Sequence, residues 1–294
     1  MNIYDSLEII LYKYNETIVR RLYRSPVVDT IDTTIEKLIN GCSISRYGDG
    51  EIDIILGRNK KFQSYNRSLA KRLKTILKLN GKYKGFLVGI PQIFDSLEIF
   101  TEEASFHWKI RMNKERYRWY NLLNRNESYA NSQITRFYFD WRDKTNCKKW
   151  IEKMKQLWHS RSITLVEGCY SRLGVGNDLF SNAKDISRIL CPNVNAFNCY
   201  SEIIRAVLRQ SKEKLVLIAL GPTATILAYD LFQLGYQAVD IGHIDIEYEW
   251  YLDNTTKKMK VLNKFVNEVE ESDIIEEHND ETYRRQIIER LNFV

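Results

Sequence analysis

The chain has 294 residues, with 44 Lys+Arg against 38 Asp+Glu, a formal net charge of +6, 44% hydrophobic residues and 12% aromatic ones. That composition fits a globular protein of one large or two small domains and excludes a largely disordered chain. The longest apolar run, 215–220, has six residues against the roughly 20 a membrane helix needs, and the N-terminus lacks the order of a signal peptide, so a cytoplasmic protein is expected.

In chain order, residues 1–40 are expected to form a helical extension broken at Pro26. From 41 to 255, short apolar runs at 43–47, 86–90, 162–166, 186–190, 214–220 and 237–241 read as strands. Helical periodicity falls between them, at 66–79, 106–123, 147–159, 201–210 and 223–234. In the first of these, Leu69, Leu73, Ile76 and Leu77 share one face with basic residues elsewhere. Such alternation predicts an α/β, mostly parallel sheet with helices on both faces. The stretch 111–145, dense in Tyr, Trp, Arg and Asn, is either a polar helical layer or an insertion beside a cleft. Residues 256–294 are expected to be a charged helical extension.

Charge is unevenly spread. No acid occurs from 54 to 94, where ten basic residues lie, among them Arg58, Lys60, Lys61, Lys71 and Arg72; residues 265–281 carry eight acids and no Lys or Arg. The basic block fits either an anionic partner or a solvated helix face. Five widely spaced cysteines (Cys42, Cys147, Cys169, Cys191 and Cys199) include no C-x-x-C pair, so reduced thiols are expected.

Four polar segments follow predicted strands. Arg46-Tyr47-Gly48-Asp49-Gly50-Glu51 places two carboxylates one residue apart beside two glycines, a pattern that suits a hard divalent cation. It also reads as a helix start with Asp49 as cap. Glu167 to Leu179 contains Arg172, Gly174, Gly176, Asn177 and Asp178, whose backbone N–H groups could meet a phosphate if a helix begins at Asn177. A third glycine is lacking, which argues against a dinucleotide fingerprint. Gly221-Pro222-Thr223 opens a helix after the most apolar strand and suits an anion, without the lysine of a P-loop. In 240–250, His243, Asp245, Glu247 and Glu249 alternate with apolar residues and would share one face if extended, offering a general base or metal ligands.

Together the segments RYGDGE (46–51), GNDLF (176–180), GPTA (221–224) and GHIDIEYEW (242–250) resemble the bacterial GT-D-type glycosyltransferases, over roughly 40–252 and in the same order. The resemblance implies a Rossmann-like catalytic domain using a nucleotide-sugar donor, typically a UDP-hexose, with a divalent metal, Mn²⁺ or Mg²⁺. It implies a glycan or glycoprotein acceptor and puts the metal motif on Asp49 and Glu51. On this reading the loops at 174–178 and 221–225 would hold the nucleotide, Arg46 or Arg172 would lie near phosphate, and 243–249 would supply the base or complete the metal shell. Peripheral contact with an anionic membrane and homo-oligomerisation are further expectations, drawn from the basic block and the end helices. Two alternatives compete: nucleic-acid binding through 58–84, against which stands the lack of any accompanying nucleic-acid motif, and another nucleotide-dependent transferase on the same sheet.

Overall fold

A computed structural model describes residues 3–269 and 280–291. The strands are β1 (Val27–Val28), β2 (Ser43–Arg46), β3 (Phe86–Ile90), β4 (Ser128–Asn131), β5 (Ser162–Gly168), β6 (Asp185–Cys191), β7 (Leu215–Ala219), β8 (Ala238–Asp240) and β9 (Ile287–Arg290). They form one sheet in the order β1-β4-β3-β2-β8-β7-β5-β6-β9, and every pairing is parallel. The helices are α1 (Ile3–Leu22), α2 (Ile31–Ile39), α3 (Asp49–Ile55), α4 (Arg67–Leu77), α5 (Glu102–Leu122), α6 (Cys147–Gln156), α7 (Tyr200–Leu208), α8 (Pro222–Gln233), α9 (Ile244–Leu252) and α10 (Glu281–Gln286).

The physical basis of this arrangement is burial on both faces of the central strands. Leu215, Val216, Leu217 and Ile218 are fully buried, so β7 reads as an unbroken apolar run rather than an alternating one. Helix α8 behaves likewise: Ala224, Ile226, Leu227, Ala228 and Leu231 have no exposure, because the helix lies between sheet and neighbours. Pro222 fills its first turn, where no N–H partner is needed.

From β2 the chain moves toward one edge through β3 to β4, whereas β8, β7 and β5 occupy the other side. The carboxyl ends of β2 and β8, paired at Ile44 and Val239, therefore flank the point where strand order reverses, which is where open α/β sheets bind ligands.

The alternation from 41 to 255 is found, and three expectations change. The stretch after β5 makes turns rather than a helix at Asn177, because the Asn177 side chain caps the N–H of Leu179 locally. Segment 243–249 is not extended: it forms α9. Among the described residues of the C-terminal part, helix is limited to α10. The other described residues there hold irregular chain to 269 and β9, where Ile287, Glu289 and Arg290 pair with the edge of β6. The N-terminal part is helical as expected but also supplies β1. The acidic run lies mostly at 270–279, outside the described residues. Among the described residues no helix is long and apolar enough to cross a membrane, and all five cysteines are free thiols.

Candidate active site

A cleft of about 810 Å³ opens at the carboxyl ends of β2, β5, β7 and β8, a size usual for small-molecule sites. Its floor begins where β2 ends. Arg46 donates from Nε to the Asp240 carbonyl at 2.7 Å, from Nη1 to the Ser132 carbonyl at 2.8 Å, and from Nη2 to Asp240 Oδ1 at 3.0 Å. One guanidinium thus ties together the ends of β2 and β8 and the chain just after β4. Gly242 makes this possible. Its φ is +40°, and a Cβ there would overlap the Arg46 guanidinium.

Beyond Arg46 the chain turns into α3. Tyr47 is a buried anchor whose hydroxyl donates to the Leu73 carbonyl at 2.8 Å. The cap is Gly48 rather than Asp49: the Glu51 carboxylate accepts from the Gly48 N–H at 2.8 Å, and Asp49 follows as the first helical residue. Burial, together with the nearby charge of Asp240, pushes the Glu51 carboxyl up to about 7. Burial also acts upward on Asp49, but the ammonium of Lys60 outweighs it and holds this carboxyl below its ordinary value.

Lys60 belongs to a cationic wall. Its Nζ lies 3.0 Å from Asp49 Oδ2 and 3.2 Å from Asp53 Oδ2. Asp53, itself buried, also holds Arg58 at 2.9 Å and Arg111 at 3.0 Å, while buried Glu115 engages the same two arginines. Two buried carboxylates therefore fix three cations on the cleft lining, an arrangement suited to an anionic ligand. His107 lines the same wall; burial keeps its imidazole below the ordinary value despite the Asp49 charge.

The cleft lining also carries Arg136, Lys258, Glu268 and His243. Arg136 pairs with Glu268, and Lys258 lies 2.9 Å from the same carboxylate. His243 Nε2 stands 3.5 Å from Glu268 Oε1. Burial, reinforced by the Arg136 charge, pushes the His243 pKa down to about 3, so the ring is neutral at pH 7.

Arg46, Tyr47, Gly48, Asp49, Glu51, Gly221 and His243 thus meet at one cleft, whereas the other expected site residues do not line it. Asp245 accepts from the Gly174 N–H at 2.8 Å and Asn177 Nδ2 at 2.9 Å, and Glu249 accepts from Asn177 Nδ2 at 2.7 Å. Both acids grip the buried Lys264, at 2.7 and 2.6 Å. Glu247 is fully buried and accepts from the N–H groups of Tyr138 and Phe139. Arg172 is buried and donates to the Asn263 carbonyl at 2.9 Å. Asp178 pairs with Lys155 and accepts from the Tyr248 hydroxyl. Gly176 faces open space, and Pro222 and Thr223 are buried in the first turn of α8. These groups fix the loop at 172–178 and the segment at 261–268 against α9.

Asp53, Arg58, Lys60, His107, Arg111, Arg136, Lys258 and Glu268 lie outside the four motifs, and Asp240 opens the fourth without a role of its own there. Lys60 and Arg58 are visible only as members of the basic block, Arg111 and Arg136 only as part of the stretch 111–145, and Glu268 only within the acidic run; Asp53, His107 and Lys258 give no local pattern.

A family model described as "Glycosyltransferase GT-D fold" matches residues 44–269. The chain belongs to the GT-D-fold glycosyltransferase family. It is 37% identical over 263 residues to a protein named probable glycosyl transferase Gly from Streptococcus gordonii, covering 89% of this chain and 38% of that one. It is also 37% identical over 265 residues to glycosyltransferase GlyD from Streptococcus pneumoniae, covering 90% and 32% respectively. The chain therefore spans about a third of the length of these curated relatives. A solved structure described as a new glycosyltransferase from Streptococcus sanguinis superposes with a TM-score of 0.88 at 36% identity, covering 91% of this chain and all of the other.

Proposed function

We propose that this GT-D domain transfers a hexose from a UDP-sugar to a hydroxyl of a glycan or glycoprotein acceptor, with a divalent cation, Mn²⁺ or Mg²⁺, held by Asp49 and Glu51. The observation that carries this reading is the placement of those two carboxylates at the strand-order reversal, with Asp49 3.0 Å from Lys60, one of three cations anchored on Asp53 and Glu115.

The donor set fits such an ion. Both ligands are hard carboxylate oxygens, and the repulsion that Glu51 feels from Asp240 and Asp49 would be relieved by a cation. Among the described residues no group of three or more His, Cys, Asp or Glu is arranged to hold a metal. Water and diphosphate oxygens would therefore complete the shell, as is usual for Mg²⁺-type sites. Bound there, the cation would offset charge developing on the departing diphosphate.

The protein's own groups do the rest. Lys60, Arg58 and Arg111 present fixed positive charge to the diphosphate, and their anchoring on buried acids means little reorganisation is needed as charge develops. Phe62 packs over Gly221, whose missing side chain leaves room for the ring: a Cβ would approach Phe62 to 2.9 Å. His243, neutral and lining the cleft, can accept a hydrogen bond from the acceptor hydroxyl and orient it, with Glu268 3.5 Å from its Nε2 to offset positive charge that develops on the ring. Holding donor and acceptor in line contributes through orientation.

The test is release of UDP from UDP-glucose and related UDP-hexoses, with and without Mn²⁺. Turnover that needs the ion and falls at least 10²-fold in Asp49→Asn supports the reading. Equal turnover after chelation, or in the Asp49→Asn and Glu51→Gln double variant, overturns the metal role.

A further inference from the structure

We propose that the outer face of α4 is a docking surface for an anionic lipid bilayer. The helix is fixed by its apolar side: Leu69, Ala70, Leu73, Ile76 and Leu77 are buried. Its N-terminus is capped by Asn66, which accepts from the N–H groups of Ser68 and Leu69. The opposite side presents Arg67, Lys71, Lys74 and Lys78, all exposed, at i, i+4, i+7 and i+11. At 100° per residue these four positions fall within about 60° of one another, so they form one straight stripe. Lys61 extends it to the cleft lining, while Lys82 and Lys84 extend it past the other end.

Among the described residues little balances this charge; the Glu127 carboxylate, which lies against Gly81 beyond the helix end, is an exception. The sequence holds no acid from 54 to 94, and among the described residues none of these seven side chains has a recorded ion pair within 4.0 Å. Arg72, which points inward to Asp230, is the contrast: a basic residue of the same helix used for packing. Like charges at i, i+4 disfavour a helix, so the stripe works against the fold that carries it. An anionic surface would reverse that repulsion.

The shape of the stripe favours a bilayer over a polynucleotide. Tyr65 and Tyr83, 43% and 39% exposed, stand at its two ends, where amphipathic rings suit the headgroup level. Tyr83 rests on Tyr229 and Phe232, so it is held outward by packing. Three of the four stripe cations are lysines, which act as point charges, and no base-reading element accompanies them. Because α4 packs on α3, whose first residue is Asp49, docking would bring the membrane plane beside the cleft.

The experiment is co-sedimentation of the whole chain with vesicles of phosphatidylcholine alone or with 30% phosphatidylglycerol, at low and high NaCl. Binding is expected only to the anionic vesicles and should fall steeply with salt. Each cation near the surface strengthens partition by about fivefold, so Lys71→Gln with Lys74→Gln should weaken it about 25-fold. The same variant should keep its melting temperature and its turnover of UDP-sugar with a soluble acceptor, which separates this surface from the active-site reading. Equal binding to neutral vesicles, no loss in the double variant, or tight salt-sensitive binding to DNA without binding to vesicles would each overturn the proposal.

Discussion

Replacing Gly242 by alanine tests whether Arg46 organises the cleft floor. The residue has φ +40°, where a side chain costs about 1–2 kcal/mol, and its Cβ would overlap the Arg46 guanidinium. Arg46 must then leave Asp240, a carboxylate only 4% exposed. Stripping one partner from a buried ion pair costs about 3–5 kcal/mol. Allowing for relaxation, a loss of about 4 kcal/mol is expected, or a fall in melting temperature of about 8 °C or more for a chain of this size. Burial already raises the Asp240 carboxyl against the effect of Arg46, and losing that partner raises it further. A folded-state pKa above the unfolded one means that stability is lost as pH rises, so the defect should be larger at pH 8 than at pH 5. Thermal unfolding followed by circular dichroism at both pH values is the assay. Gly41→Ala is the control, since its φ is +95° but its Cβ would meet no atom within 4 Å; it should cost only about 1–2 kcal/mol. Equal losses in the two variants would refute the role given to Arg46.

Three further outcomes follow. Lys264→Met should lower stability by about 3–5 kcal/mol, because it leaves Asp245 and Glu249 without their shared cation, and adding Asp245→Asn should restore part of it in the same melting assay. In metal-free protein, Glu51 and Glu247 both have carboxyls pushed up to about 7, so stability should fall as pH rises from about 5 to 8. Glu51→Gln should reduce that slope without removing it, and an unchanged slope would contradict the burial argument. His243→Gln should lower kcat about 10²-fold with little change in the donor KM, as expected for a group acting on the acceptor; a change confined to KM would rule that role out.

The sheet was largely legible because burial on both faces writes itself as apolar runs, as in β5 and β7. The strands that escaped are short or polar. β4 reads Ser-Tyr-Ala-Asn, and its buried Asn131 is satisfied by Thr34, Asp29 and Gln92, partners far away in sequence. β9 is four residues at an edge in a charged region. The alternation His243-x-Asp245-x-Glu247-x-Glu249 misleads as a strand. In α9, Asp245 and Glu249 lie one turn apart and both meet Lys264, while Glu247 turns toward Tyr138 and Phe139. Asp49 and Glu51 stood out because adjacent glycines and a preceding strand mark a ligand loop. Arg111 and Glu268 did not, since each reaches the cleft from an element with no motif of its own.

The most direct measurement is Mn²⁺ titration of the intact chain in the presence of UDP, followed by the electron paramagnetic resonance signal of the free ion. One bound ion per chain is expected, with binding weakened at least tenfold in Asp49→Asn and lost in the Asp49→Asn, Glu51→Gln double variant. Unchanged Mn²⁺ binding in that folded double variant would contradict the assignment of the metal to this pair.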